Sequence, residues 1–77
     1  MFYYDVIASI CTETRRTNSH FIAGGFGSEA DALNYINSNG ICEVDFYGFC
    51  RDDETAYIEI ETHDARSGNI IEVITLD

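Results

Sequence analysis

Only one stretch of this 77-residue chain carries a helical pattern, and it is short, residues 28–40. Ser28 suits an N-cap, and Glu29 and Asp31 complement the positive end of the helix dipole. Ala30, Leu33, Ile36 and Asn37 share a face flanked by Ala32 and Tyr35, and Asn39-Gly40 supplies a left-handed stop. Most of the remainder alternates or is rich in β-branched and aromatic residues, with no proline to interrupt it. A single short helix cannot cover the sheet that so much strand sequence must form. Some apolar and aromatic residues are therefore expected to stay exposed.

Alternation predicts strands over residues 2–12, 20–26, 41–50, 55–63 and 70–76, with turns at 14–19, 51–54 and 64–69. The order β-β-α-β-β-β defines an α+β class: a mainly antiparallel five-stranded sheet with one helix on one face. Residues 1–77 make a single domain without room for a second core. Folding a chain of this size buries roughly 60 % of its unfolded surface, so stability should be modest.

There is no lysine, and only Arg15, Arg16, Arg51 and Arg66 oppose 14 acidic residues, giving a formal net charge of −10. Such a surplus repels nucleic acid and anionic membrane, and attracts proteins with a basic face. A hydrophobic fraction of 45 % with 13 % aromatic separates the chain from disordered acidic tails. No apolar run approaches the roughly 20 residues of a membrane span. The N-terminus lacks a basic segment followed by an apolar stretch, and Phe2 replaces the glycine that myristoylation needs, so a cytoplasmic location is expected. Cys11, Cys42 and Cys50 show neither CxxC nor a Cys/His zinc spacing. With Cys42 and Cys50 about 26 Å apart along one strand, buried free thiols are expected, a bond from Cys11 to either remaining open.

Period-two alternation then places the acids. In the third expected strand Cys42, Val44, Phe46 and Gly48 face inward, and Glu43, Asp45 and Tyr47 outward. In the fourth, Ala56, Ile58 and Ile60 oppose Tyr57, Glu59, Glu61 and His63. The fifth is ambiguous, with Glu72 sharing the parity of Ile70, Ile74 and Leu76. If Glu72 points outward, Glu43, Asp45, Glu59, Glu61 and Glu72 form a carboxylate ladder with Tyr47 and Tyr57 among them. Spacings of roughly 6.7 Å along and 4.8 Å across the strands loosely match the charge density of a nucleic-acid backbone. These seven residues are the candidate partner-binding set. The plainer alternative is the wet face of a two-layer domain.

Other constellations are weaker. Gly24-Gly25-Phe26-Gly27-Ser28 lacks the lysine and spacing of a phosphate loop, and Glu29 and Asp31 would repel phosphate. Glu59, Glu61 and His63 share a strand face but read more simply as a solvated strand end, His20 being distant in sequence, so neither metal nor cofactor is expected. Pairing Cys11 with His20, or Cys50 with His63, leaves no third orienting group, so no catalytic residue is expected.

In size, charge and architecture the whole chain resembles phage and mobile-element inhibitors of host defence, including anti-CRISPR proteins and other DNA mimics. The resemblance implies stoichiometric inhibition, an acidic face occupying the basic channel that a nuclease or effector complex uses for DNA or guide RNA. The expected function is thus an acidic protein-binding inhibitor of a nucleic-acid-binding protein, with no direct contact to nucleic acid or membrane. The alternative is a homo-oligomeric accessory module, a homodimer in its simplest form, in which a second copy buries Phe2, Tyr4, Phe21, Phe26 or Phe49. A small enzyme or ligand-binding domain ranks lowest.

Overall fold

The computed structural model describes residues 1–76. In chain order it contains β1 (Phe2–Cys11), β2 (Arg16–Phe26), α1 (Glu29–Asn39), a 3-10 helix (Glu43–Phe49), β3 (Thr55–Asp64) and β4 (Ile70–Leu76). The strands form one antiparallel sheet in the order β2-β1-β3-β4. Strand β1 is central, flanked by β2 and β3, and Val6 to Ile10 are all buried, one set beneath the helices and the other among the side chains of neighbouring strands. It pairs along its whole length with β3, from Phe2 opposite Asp64 to Cys11 opposite Thr55.

The α+β class and antiparallel sheet agree with the sequence. Helix α1 begins where Ser28 Oγ accepts the Asp31 N–H at 3.1 Å and ends at Gly40, whose φ of 62° is left-handed. Its buried residues are Ala32 and Ile36, packed on Val6, Ala8, Ile58 and Ile60, so the helix is rotated from the expected face: Ala30 and Asn37 are exposed.

Four strands form among the described residues, not five. The expected third strand is instead the 3-10 helix, entered from extended Cys42. Asp, Glu and Gly disfavour strands, and Glu43, Asp45 and Gly48 occupy three of its seven positions. A 3-10 turn also places residues three apart on one side, which brings Phe46 and Phe49 together over the His20 ring. The alternation of Cys42, Val44, Phe46 and Gly48 was therefore accidental: Val44 is exposed while Phe46 joins the core. Strand β2 also starts earlier than expected, at Arg16 rather than His20.

Helix α1 reaches β2, β1 and β3 but not β4, and the 3-10 helix packs on β3 and β1. Both contribute to the same core cluster, so both lie on one face of the sheet. The molecule is 17 Å across its shortest axis, which leaves no space for a third layer. The opposite face is uncovered, and β4 stands beyond the helix on its own edge.

Candidate functional site

The uncovered face is built by the odd-numbered residues of the two central strands. Tyr3, Asp5, Ile7 and Ser9 from β1 lie opposite His63, Glu61, Glu59 and Tyr57 from β3. Phe21 and Ser19 from β2 flank Ile7 and Ser9, and Val73 and Thr75 from β4 flank Glu61 and Glu59. No secondary-structure element roofs this surface, yet Ile7, Ser9 and Glu61 are buried by the side chains around them. The rim is apolar and open: Phe21 is 68 % exposed, and Tyr57, Ile71 and Val73 are exposed as well.

At the centre sits a charged cluster, of which the sequence pattern grouped Glu59, Glu61 and His63 but neither Asp5 nor Arg16. Arg16 Nη1 lies 3.4 Å from Glu61 Oε2 and 3.8 Å from Glu59 Oε1. Thr75 Oγ1 donates to Glu59 Oε2 at 3.1 Å. His63 Nε2 lies 3.2 Å from Glu61 Oε1 and 3.3 Å from Asp5 Oδ2, and the ring stacks on Tyr3 with centroids 4.8 Å apart. The Nδ1 contact to the Gly68 carbonyl, then the Glu61 and Asp5 carboxylates, raise the His63 pKa above its usual value against the opposing effect of burial. A buried carboxylate without such partners would cost several kcal/mol, about 3–5 when one partner of a buried pair is removed.

Bulges aim these side chains. Between Tyr4 and Ile7 the pairing with β2 slips twice, and Gly25 takes a φ of 79°, which turns its N–H to Asp5 Oδ1 at 3.0 Å. A methyl group at Gly24 would overlap the Asp5 carboxylate and the Phe21 ring. The two glycines thus admit an acid, where the sequence suggested a loose connector. On the other side, the β3–β4 pairing slips between Thr62 and His63.

The expected seven-residue set is divided. Tyr57, Glu59 and Glu61 share the uncovered face, but Glu59 and Glu61 are held by Arg16, Thr75 and His63. Glu43 and Tyr47, on the 3-10 helix, line a shallow groove with Thr55, Ala56, Tyr57 and Leu76. Asp45 is exposed on that same helix. Glu72 lies opposite Thr62 and shares the parity of Ile74 and Leu76, so it belongs to the helix-bearing side. The five-carboxylate ladder does not form, because the strand that was to carry two of its rungs is a helix. Asp5 and Arg16 were missed. Their signals were an isolated acid in an apolar strand and a basic residue assigned to a turn.

Remaining features are less organised. A groove at the opposite end of the sheet is lined by Arg15 and Arg51 with Asp53 and Glu54, two charges of each sign. The three thiols are free and only half-buried, a correction to their expected full burial. Burial and then the Glu54 carboxylate push the Cys50 thiol up, which lowers its nucleophilicity. Neither histidine has a thiol among its hydrogen-bond partners. No helix among the described residues is long and apolar enough to cross a membrane. Comparison with family models, curated proteins and solved structures finds no match to this chain.

Proposed function

We propose that this protein is a non-catalytic, stoichiometric inhibitor that docks through the uncovered face of its sheet onto a basic, nucleic-acid-binding surface of another protein. CRISPR-type effectors of host defence are the partner class that the sequence resemblance suggests. The observation that supports the reading is an unroofed sheet face ringed by exposed Phe21, Tyr57, Ile71 and Val73 on a chain of net charge −10. Each such side chain contributes about 1.5–3 kcal/mol on full burial. The surplus charge speeds encounter with a basic partner and disfavours acidic ones. Contact is therefore apolar and aromatic around the rim of the face, with the acids acting through their long-range field. Glu59 and Glu61 stabilise the interior of the face and are not its contact points.

A second reading, self-association, has its own support in β4. This edge strand is apolar from Ile70 to Leu76 except for Glu72 and Thr75, and it has neither lysine nor proline to block pairing with another strand.

The test uses exposed positions, where truncation spares folding. Phe21→Ala and Tyr57→Ala baits should keep the parent's melting behaviour and lose a captured partner at least about tenfold. Added duplex DNA or RNA should displace that partner from the parent protein. A partner held equally by both variants, or one that binds nucleic acid and this protein together, overturns the proposal. A dimer in solution that Val73→Lys dissociates, with no partner displaced by nucleic acid, establishes the second reading instead.

A further inference from the structure

Three ligand-type atoms converge on one point of the uncovered face. Asp5 Oδ2, Glu61 Oε1 and His63 Nε2 belong to a cluster whose donor atoms all lie within 4.8 Å of one another. The second polar atom of each side chain is engaged outside the cluster. Asp5 Oδ1 accepts from the Gly25 N–H at 3.0 Å, Glu61 Oε2 accepts from Arg16 Nη1 at 3.4 Å, and His63 Nδ1 lies 3.0 Å from the Gly68 carbonyl oxygen. A carbonyl only accepts, so Nδ1 carries a proton and Nε2 is the atom turned to the two carboxylates. Metal-binding imidazoles and carboxylates show this division: the outer atom is fixed by the protein and the inner one is presented to the ion.

We propose that Asp5, Glu61 and His63 bind one divalent cation of the zinc type, with a fourth position left to water. A tetrahedral ion with bonds of about 2.0–2.1 Å sets its ligand atoms about 3.3 Å apart. His63 Nε2 stands 3.2 Å from Glu61 Oε1 and 3.3 Å from Asp5 Oδ2, so two of the three edges are already formed. One imidazole with two carboxylates is a donor set for a borderline ion and not for a thiophilic one. The two carboxylate charges balance the ion, while Arg16 and Glu59 balance each other beside it. On binding, a nitrogen–metal bond forms at Nε2 and any proton held there passes to solvent. The side chains of Glu61, His63 and Asp5 are 9 %, 12 % and 16 % exposed, shielded from bulk water but reachable from the open face. The Tyr3 stack, the Gly68 carbonyl and the paired glycines fix the donors before an ion arrives.

The experiment titrates chelator-stripped protein with zinc chloride by calorimetry and repeats it with cobalt(II), followed by absorbance. One ion per chain should bind, and folded Asp5→Asn and His63→Gln variants should each bind at least about tenfold more weakly. In the parent protein, zinc should shift the nitrogen-15 resonance of His63 Nε2 while Nδ1 keeps its proton. That measurement decides the matter even where a variant fails to fold. Absence of saturable binding, an unmoved Nε2 resonance, affinities unchanged in both folded variants, or a thiolate-to-cobalt band placing the ion on a cysteine would each overturn the proposal.

Discussion

At the scale of the residue, the acids of this chain differ by what they touch. Glu54 accepts the Arg51 N–H at 2.8 Å and a hydrogen bond from Thr17, and these, the Thr17 bond foremost, hold its carboxyl below the usual range. A depressed folded pKa means that the ionised form is favoured by folding. Its contribution is present above the unfolded value and is lost as pH falls through the folded one. Glu54→Gln should therefore lower the melting temperature by a constant amount above about pH 5, and the gap to the parent should close below about pH 4. Melts of both proteins across that window check it. A gap that ignores pH would show that Glu54 acts through its shape and not its charge.

At the scale of the element, α1 depends on its first turn because it is short and buries only Ala32 and Ile36 fully. Ser28 satisfies one otherwise unpaired N–H there, that of Asp31. Ser28→Ala should cost about 1 kcal/mol and Ser28→Gly only a few tenths. In a domain of this size the first corresponds to a fall of roughly 4–8 °C in Tm. Equal melting of parent and alanine variant would mean that tertiary packing alone holds the helix. The 3-10 helix shows the opposite balance. Its local sequence alternates like a strand although Glu43, Asp45 and Gly48 disfavour one, and the contacts of Phe46 and Phe49 with His20 favour the 3-10 turn.

At the scale of the whole molecule, ion pairs among the described residues involve only Arg16 and His63 as cations. Most of the 14 acids are thus unopposed at close range, and the folded state concentrates their repulsion. Raising salt from about 0.01 M to about 0.15 M shortens the screening length from about 30 Å to about 8 Å. Tm should rise over that interval. A fall would mean that the Arg16–Glu61 and His63 pairs outweigh the dispersed repulsion.

The sequence by itself determined those features that local chemistry dictates. Ser28 and Gly40 mark the ends of α1, residues 2–12 read as a first strand, and alternation in β3 separates Ile58 and Ile60 from Glu59 and Glu61. The α+β class and the one-sided covering of the sheet follow from these. Tertiary structure alone decided the rest, because period two does not by itself distinguish a strand from a short 3-10 turn when long-range ring contacts choose between them. It turned residues 43–49 into a helix and dispersed the expected ladder. It set the β4 register that sends Glu72 to the helix-bearing side. It also brought Asp5, Arg16, Glu61 and His63 together across three strands. That meeting depends on strand order and on the register slips of the β1–β2 and β3–β4 pairings, both properties of pairing between segments apart in the chain.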